Sequence, residues 1–327
     1  MREILQYLFD HNTLSKAVAK SILMEIAFNK FNENEVTAFV TVFLMRAITL
    51  DELEGFQEAL LQLSKPINLG EDLVDIVGTG GDGKNTFNIS TLASFIVSGT
   101  GQKVAKHGNY GVSAISGSSN VLEELGYKFK DNGSDLQKDL DKANICFLHA
   151  PLFHPALKTV APLRKGLGLR TFFNILGPLV NPSKPQYSLI GVYDLEIARL
   201  YQYLLQKKSS NFMLVHGLDG YDEISLTCDS KIFDKNGENI FSAEELGFKN
   251  INAGSISGGK TTAENAEIFL KILEGKGSFE QNAVVLSNAA KALENTEKYG
   301  DYENCLEKAK ESLETGKALK SLKLLID

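Results

Sequence analysis

The residues best suited to chemistry lie in a glycine-rich loop between Gly78 and Thr91. The loop follows an apolar run that ends at Val77 and precedes a helical pattern that begins near Ser90. Glycines allow backbone N–H groups to converge on an anion, and the N-terminus of the following helix adds a favourable dipole. Asn88, Ser90 and Thr91 add side-chain donors at that helix start. The pattern predicts a phosphate-binding loop, with a glycine-rich surface turn as the alternative.

The spacing of this loop separates it from the commoner phosphate motifs. It is not a Walker A motif, because no Lys-Ser or Lys-Thr pair follows the second glycine. A Gly-x-Gly-x-x-Gly pattern runs from Gly78 to Gly83, but the helix begins too late for a dinucleotide turn and Asp82 would face the pyrophosphate. An acidic side chain in a phosphate loop better suits contact with a sugar hydroxyl or a metal-bound water.

A second loop of similar character runs from Lys106 to Asn120 and contains Gly108, Gly111 and Gly117. Lys106 can neutralise a phosphate as a point charge. The serines from Ser116 to Ser119 precede or start the next helix. Two such loops predict a ligand with two separate phosphate groups, whereas a Ser/Gly loop taken alone is equally compatible with a flexible linker.

Two arginines, Arg164 and Arg170, bracket a glycine-containing stretch among apolar residues. A guanidinium group in such surroundings suits a carboxylate ligand, which it can hold through two parallel hydrogen bonds. An ion pair or a helix C-cap is an equally good interpretation from position alone.

The adjacent acids Asp222 and Glu223 follow a predicted strand and a glycine turn. Neighbouring side chains diverge, so the two carboxylates are poor candidates for one shared ion pair. They are good ligands for a hard cation when the substrate adds phosphate oxygens, and Mg²⁺ is the natural ion for such a site.

The order of predicted elements indicates how these motifs are positioned. Residues 1 to about 65 have helical periodicity, with capping boxes starting at Asn32 and Thr49, and predict a four-helix unit. Short apolar strands then alternate with helices, which predicts parallel strands with sites at their C-terminal ends. A hairpin near 234–237 and three helical segments follow, the last over 301–325. The fold class is therefore α/β: a small N-terminal all-helical domain plus a larger α/β domain with a central, mainly parallel sheet.

Composition narrows the choice of function classes. The 327 residues carry a net charge of −7, which argues against general nucleic-acid binding. No apolar run approaches membrane-spanning length, and the amphipathic N-terminus with Glu3 is unlike a signal peptide, so we expect a cytoplasmic protein. The three cysteines are far apart and form no zinc or disulfide pattern.

Taken together, these segments resemble the anthranilate phosphoribosyltransferase family of tryptophan biosynthesis, nearly from end to end. No single segment is decisive, but their order and spacing together are specific. The segments that carry the resemblance are Gly78-Thr-Gly-Gly-Asp82, Asn88-Ile-Ser-Thr91, Lys106-His-Gly-Asn109, His154-Pro-Ala, Arg170-Thr-x-Phe-Asn-x-Leu-Gly-Pro178 with Asn181-Pro182, and Asp219-Gly-Tyr-Asp222-Glu223-Ile-Ser225.

The resemblance implies a glycosyltransferase that moves phosphoribose from phosphoribosyl diphosphate to the amine of anthranilate and releases diphosphate, with Mg²⁺ as cofactor. It implies a helical domain over 1–66, joined by part of 164–182, and an α/β domain over 67–327. It further implies a homodimer formed through the helical domain.

The resemblance also implies a set of site residues. No covalent or acid–base residue is expected, and His107, Asn109 and Arg164 would orient the substrates. Magnesium would be held by Ser90, Asp222 and Glu223, with the diphosphate at the glycine loop and the 5′-phosphate at the Lys106 loop. Anthranilate would be bound by Gly78, Asn109, Arg164, His154 and Pro178. Phosphoribosyl diphosphate would be bound by Gly78, Gly81, Asp82, Thr86, Asn88, Ile89, Ser90, Thr91, Lys106, His107, Gly108, Asn109, Tyr110, Gly111, Val112, Ser113, Ala114 and Ser118.

The chain departs from the usual family pattern mainly in the second loop. Tyr110 stands where Arg is frequent, Ala114 where Ser is frequent, Ser119-Asn120 where Ala-Asp is usual, and Arg164-Lys165 where Arg-Arg is usual. The backbone donors survive these changes, but a phosphate contact from side chain 110 does not follow. Two other readings are a pyrimidine nucleoside phosphorylase of related architecture and a non-catalytic relative that binds nucleic acid.

Overall fold

The computed structural model describes residues 1–111 and 115–326. Four helices open the chain, as predicted: α1 (Arg2–Phe9), α2 (Lys16–Ala27), α3 (Glu33–Met45) and α4 (Leu50–Leu63). Strands and helices then alternate: β1 (Val74–Gly78), α5 (Ile89–Gly99), β2 (Val104–Gly108), α6 (Ser118–Glu124), α7 (Gly133–Ala143), β3 (Ile145–His149), α8 (Ala150–Phe153), α9 (Pro155–Leu167), α10 (Phe172–Leu176), β4 (Tyr187–Gly191), α11 (Leu195–Gln206) and β5 (Asn211–Gly217).

The rest of the chain adds a hairpin and a closing set of helices. The hairpin lies where the sequence predicts it, with its turn between Asp234 and Gly237. In the parts that the structure describes, no helix is long and apolar enough to cross a membrane. The elements are β6 (Ser230–Asp234), β7 (Gly237–Phe241), α12 (Thr262–Leu273), α13 (Phe279–Glu294), α14 (Tyr302–Glu314) and α15 (Lys317–Ile326), with short 3-10 helices at Gly177–Leu179 and Ala253–Ile256.

Contacts between Cα atoms divide the chain into two units. Unit 1 consists of Met1–Pro66 and Ala150–Lys184, and unit 2 of Ile67–His149 and Pro185–Asp327. The second segment of unit 1 is thus longer than the expected part of 164–182, and 150–184 does not belong with the α/β unit. The reason is packing: α9 contacts α2 and α4, and α10 contacts α3 and α4.

The core of unit 1 is an aromatic cluster that joins its two segments. Phe172 of α10 stacks on Phe56 of α4, with ring centroids 4.5 Å apart. Phe39 and Phe43 of α3 meet Phe172 edge to face. Such pairs add to the free energy gained from burying large apolar side chains. The cluster explains why a segment more than 80 residues away in sequence completes the four-helix unit.

Unit 2 is built on a seven-stranded sheet of order β3-β2-β1-β4-β5-β6-β7. The first five strands of that order are mutually parallel, β6 pairs antiparallel with β5, and β7 pairs antiparallel with β6. The strand order reverses direction between β1 and β4, and ligands of open α/β sheets bind at such a point, beyond the carboxyl ends of the strands. The predicted mainly parallel sheet is confirmed, and the glycine loop follows β1 at this reversal.

The C-terminal helices cover the sheet of unit 2, where α13 and α15 both pack on α5. The prediction of one helix over 301–325 is wrong, because α14 and α15 are separate. Gly316 adopts a φ of +73° between them. A left-handed glycine at this position ends a helix and satisfies its last carbonyl groups, and Lys- and Glu-rich periodicity alone does not reveal the break.

Candidate active site

The glycine loop after β1 wraps around the carboxylate of Asp222. Gly80, Gly81 and Gly83 have φ values of +63°, +73° and +74°, a region in which only glycine is unstrained. This backbone path brings the N–H of Gly80 to 2.6 Å from Asp222 Oδ2. The two predicted motifs, more than 130 residues apart in sequence, therefore meet.

Three carboxylates gather at this point: Asp82, Asp222 and Glu223. Burial, followed by the charge of Asp82, raises the pKa of Asp222 to about 7, and burial also raises the pKa of Asp82. Burial and the charge of Asp222 raise the pKa of Glu223 well above its usual range. Glu223 Oε1 also accepts a hydrogen bond of 3.2 Å from the N–H of Ser90, at the start of α5.

This donor set fits a divalent cation. Crowded, desolvated carboxylates that hold a proton when no cation is present can release it to a hard cation, which satisfies both charges. Within the described residues, no group of three or more His, Cys, Asp or Glu side chains is already arranged to hold a metal ion. A magnesium site formed by Asp222 and Glu223, with Ser90 and oxygens from the substrate, stays a prediction.

Two glycines paired on adjacent strands leave space for Asp222. Gly78 and Gly191 are register partners at the ends of β1 and β4. A Cβ on Gly78 would lie 2.4 Å from Asp222 Oδ2, and a Cβ on Gly191 would lie 1.6 Å from the carbonyl oxygen of Asp222. The role of Gly191 could not be read from the sequence, because a lone glycine in a strand carries no signal for a distant partner.

We expect Gly191→Ala to shift the backbone of Asp222, because no flexible side chain can move out of the way. The variant should lose about 1–3 kcal/mol of unfolding free energy, as over-packed sites do, and should need more Mg²⁺ for activity. Chemical denaturation and a magnesium titration measure the two effects. Gly254→Ala is the matched control, since a Cβ there meets nothing within 4 Å. Unchanged magnesium dependence in Gly191→Ala would contradict the role given to this glycine.

Two further residues near the acidic pair and the glycine loop, Asn288 and Thr79, were not predicted from the sequence. Asn288 of α13 accepts a hydrogen bond from the N–H of Ile224 at 3.1 Å and donates to the carbonyl of Ile224 at 2.9 Å, which fixes the segment after Glu223. Thr79 has a buried hydroxyl group that makes no hydrogen bond within the described residues, as does the predicted Thr91. Buried hydroxyl groups of this kind usually have a partner, so a bound ligand is the natural one.

Lys106 is placed differently from its predicted role as a phosphate ligand. Its side chain is buried, and its ammonium group donates to the carbonyl of Ile76 at 2.5 Å. Burial lowers the pKa of Lys106, while the charges of Asp75 and Glu223 oppose that shift. In this structure the side-chain nitrogen of Lys106 is bonded to the backbone of β1, and a direct phosphate contact stays a prediction.

The second loop is tied to the first through backbone and amide groups. Asn88 Nδ2 donates to the carbonyl of Ser116 at 3.2 Å. The N–H of His107 donates to Asp75 Oδ1 at 3.1 Å. Tyr110 contacts the ring of His149 edge to face and donates its hydroxyl to Glu123, and its role in binding phosphoribosyl diphosphate stays a prediction. Val112, Ser113 and Ala114 lie outside the described residues.

The remaining predicted ligands of phosphoribosyl diphosphate lie along the same two loops. Gly108 ends β2, and Gly111 and Ser118 follow in the second loop. Thr86 forms an isolated bridge with Ser257. The side chain of Ile89 is in the hydrophobic core, so only its backbone could face a ligand.

Arg164 lies in α9 of unit 1 with a guanidinium group available for an anion. It is partly buried, its Nη2 is 3.5 Å from Asn174 Oδ1, and it lies over the ring of Phe173. Burial lowers its pKa, and among the residues that the structure describes it has no acidic partner. Of the two alternative interpretations, the ion pair is not formed within the described residues, whereas Arg164 does lie in the last turn of α9 and its carbonyl accepts the N–H of Gly168, the C-cap residue, at 3.2 Å.

The predicted anthranilate residues are divided between the units. Gly78 and Asn109 belong to unit 2, and Arg164, His154 and Pro178 to unit 1. His154 is fully buried, and burial lowers its pKa to about 4, so it is neutral at pH 7. Pro178 is buried too. A direct contact of anthranilate with any of the five residues stays a prediction.

Two family models match the chain. The "Glycosyl transferase family, helical bundle domain" matches residues 2–64, and the "Glycosyl transferase family, a/b domain" matches residues 70–319. The two models together match most of the chain, which places it in this class of two-domain glycosyl transferases.

Relatives and solved structures narrow the class. An anthranilate phosphoribosyltransferase of Flavobacterium johnsoniae is 54% identical over 326 residues, 99% of this chain and 98% of the relative. One from Bacteroides fragilis is 49% identical over 328 residues, 100% of this chain and 99% of the relative. The chain belongs to the anthranilate phosphoribosyltransferase family.

Two solved structures of this family share the fold. The crystal structure of the Thermus thermophilus anthranilate phosphoribosyltransferase has a TM-score of 0.91 and 28% identity, covering 98% of both chains. The Saccharomyces cerevisiae enzyme in complex with PRPP and Mg has a TM-score of 0.88 and 29% identity, covering 96% of this chain and 93% of that one.

Proposed function

We propose that this protein transfers phosphoribose from phosphoribosyl diphosphate to the amine of anthranilate, giving N-(5-phosphoribosyl)anthranilate and diphosphate, with Mg²⁺. The observation that carries the proposal is the acidic pair under the glycine loop, where Asp222 and Glu223 accept hydrogen bonds from the N–H groups of Gly80 and Ser90. Carboxylates beside phosphate-binding donors form the kind of site that holds magnesium together with a diphosphate. Phosphoribosyl diphosphate and Mg are bound by the yeast relative.

The reaction needs electrostatic stabilisation more than proton transfer. Anthranilate carries a neutral aromatic amine, so no strong base is required to make it a nucleophile. The difficult event is the rupture of the bond between the ribose C1 and the diphosphate, during which positive charge grows on the sugar. Backbone donors of the glycine loop and the hydroxyl groups of Thr79 and Thr91 would stabilise the leaving diphosphate. When bound, Mg²⁺ would neutralise part of the charge on the diphosphate oxygens.

We assign the acceptor carboxylate to Arg164. Its guanidinium group is held over Phe173, close to Asn174, and has no acidic partner among the described residues. A bidentate contact would fix the orientation of the anthranilate ring and so present the amine to the ribose, a proximity effect. His107 and Asn109 are proposed as orienting groups from the second loop.

The other two readings agree less well with the structure. A pyrimidine nucleoside phosphorylase uses inorganic phosphate, so it would not require a paired-carboxylate site for a metal diphosphate. A relative that only binds nucleic acid would not need the acidic pair either, and a net charge of −7 opposes contact with a phosphate backbone.

A fluorescence assay tests the proposal. Anthranilate fluorescence should change only when the protein, phosphoribosyl diphosphate and Mg²⁺ are all present, as phosphoribosylanthranilate forms. Omission of each component in turn is the control. Parallel reactions of uridine and thymidine with inorganic phosphate test phosphorolysis. Phosphorolysis without consumption of anthranilate would reject the proposed transfer.

We also propose that two copies of the chain associate through the helices of unit 1, in the cytoplasm. The support is exposed apolar surface: Tyr7 and Phe9 on α1 and Leu44 and Met45 on α3, of which Met45 is 82% exposed. The helices α1 and α3 contact each other, so these side chains lie on adjacent elements. Exposed apolar surface of this kind is typical of protein–protein interfaces.

Phe9→Glu is expected to weaken the dimer, because a charge would be buried without a partner. Light scattering during size-exclusion chromatography should give twice the chain mass for the wild type and a shift towards the monomer for this variant. Phe279→Glu is the matched control, since Phe279 is exposed to a similar extent, 64% against 59%, but lies in unit 2. Equal behaviour of the two variants would remove α1 from the proposed interface.

A further inference from the structure

The two ends of the second loop meet in a short neck, formed by Asn109–Gly111 on one side and Gly117–Asn120 on the other. The N–H of Ser119 donates to the carbonyl of Asn109 at 3.1 Å, and the hydroxyl of Ser118 reaches the same carbonyl at 3.4 Å. Asn109 and Ser118 are both expected to bind phosphoribosyl diphosphate. The neck therefore determines how these residues are presented to a ligand.

One side chain connects both sides of the neck. Asn120 Oδ1 accepts a hydrogen bond from the N–H of Gly111 and another from the N–H of Gly117, each 2.9 Å long. We propose that Asn120 is a positioning residue for phosphoribosyl diphosphate, which holds the two sides of the neck together so that Asn109 and Ser118 are fixed before the ligand binds. Asn120 itself does not touch the substrate.

The packing of the neck leaves little room for any other arrangement. A Cβ on Gly117 would lie 2.3 Å from the nitrogen of Gly111 and 2.6 Å from the carbonyl oxygen of Asn109. The two sides thus pack backbone against backbone, and the lack of a side chain at 117 makes this approach possible. At such close range a single amide oxygen can reach both N–H groups.

The helix that carries Asn120 is itself anchored. Ser119 Oγ lies 2.9 Å from His149 Nδ1, and both side chains are buried. The ring of His149 stacks on Phe129, with centroids 4.2 Å apart. Asn120 therefore projects from a fixed point at the start of α6. The position of the neck is fixed relative to the sheet, because His149 is the last residue of β3.

The benefit of a closed neck for anion binding is entropic. Side chains that already point to one place bind a phosphate more tightly than side chains that must be ordered at the moment of binding. The inference rests on the proposed function in one respect only: the anion at the second loop is taken to be a phosphate group of phosphoribosyl diphosphate.

The test compares Asn120→Ala, Asn120→Asp and the wild type. Hydrogen exchange of peptides covering 108–121 reports the neck, because loss of Asn120 Oδ1 frees the N–H groups of Gly111 and Gly117. Calorimetry with phosphoribosyl diphosphate and Mg²⁺ gives the affinity without turnover, and the assay above gives the KM for each substrate. Asn132→Ala is the matched control, because Asn132 caps α7 in the same unit and accepts a hydrogen bond from the N–H of Asp135.

We expect faster exchange in the 108–121 peptides of Asn120→Ala, with weaker binding of phosphoribosyl diphosphate by about tenfold, the equivalent of one to two lost hydrogen bonds. The KM for anthranilate should change little. Asn120→Asp keeps an oxygen that accepts both bonds and should restore slow exchange and most of the affinity. Asn132→Ala should leave both readouts unchanged.

Two results would overturn the inference. One is unchanged exchange of the 108–121 peptides in Asn120→Ala. The other is faster exchange together with an unchanged affinity for phosphoribosyl diphosphate. A wild-type protein that binds phosphoribosyl diphosphate but does not consume anthranilate would instead reject the proposed function and leave the test of Asn120 intact.

Discussion

Replacing Asp222 with Asn and Glu223 with Gln together is expected to raise the Mg²⁺ concentration for half-maximal activity by on the order of 100-fold or more, because the ion would lose both protein carboxylates. Magnesium titration of the fluorescence assay, at saturating substrates, measures the change. The neutral side chains keep an oxygen for the N–H groups of Gly80 and Ser90 that bond the acids in the wild type. Removal of the two carboxylates also relieves the unfavourable crowding of Asp222 against Asp82.

The stability of this double variant separates a metal role from a structural one. We expect its melting temperature to equal or exceed that of the wild type measured without Mg²⁺, since buried like charges destabilise a fold. Asp219→Asn is the control, because Asp219 lies three residues earlier in the same segment and bonds the hydroxyl of Thr227. An unchanged magnesium titration in the double variant would refute the assignment of the acidic pair.

Arg164→Ala is expected to raise the KM for anthranilate by on the order of 100-fold, as two charge-assisted hydrogen bonds are lost. The KM for phosphoribosyl diphosphate should change far less, because the proposed contact is to the acceptor carboxylate. Arg164→Lys should recover only part of the loss, since an ammonium group keeps the charge but not the planar fork. Steady-state kinetics with each substrate varied in turn provide the comparison.

Arg199→Ala is the control for this measurement, because Arg199 is an exposed arginine of α11. It should leave both KM values at the wild-type level. If Arg164→Ala impaired the two substrates equally, Arg164 would have no special place in acceptor binding, and the loss would reflect the fold of unit 1 instead.

The sequence predicted those parts of this protein that depend on local patterns. Capping boxes at Asn32 and Thr49 located α3 and α4, and both boxes are present in the structure. The alternation of strand and helix patterns in the sequence predicted the parallel sheet. The glycine loop and the acidic pair could be predicted because strand, glycine turn and polar cluster follow each other directly in the chain. Each motif is therefore contained in one short continuous segment.

The sequence did not predict long-range packing, because local patterns carry no information about contacts between distant residues. Nothing near Gly191 or Asn288 in the sequence indicates that both act on the segment from Asp222 to Ile224, and nothing near Lys106 indicates that its side chain donates to the carbonyl of Ile76. The membership of 150–184 in unit 1 depends on Phe172 meeting Phe56. Each of these is a contact between residues far apart in the chain.

The sequence by itself thus determined which groups are available to this protein: a glycine-rich loop that predicts phosphate binding, a carboxylate pair that predicts a hard cation, and arginines for which a carboxylate ligand was one of the interpretations. Only the tertiary structure decided which of these groups meet. Glycines with left-handed backbone and the register of β1 with β4 bring Gly80 to Asp222, and that contact places the acidic pair under the loop. The physical reason is that propensities and spacing act over a few residues, whereas sheet register and close packing are set by the whole fold.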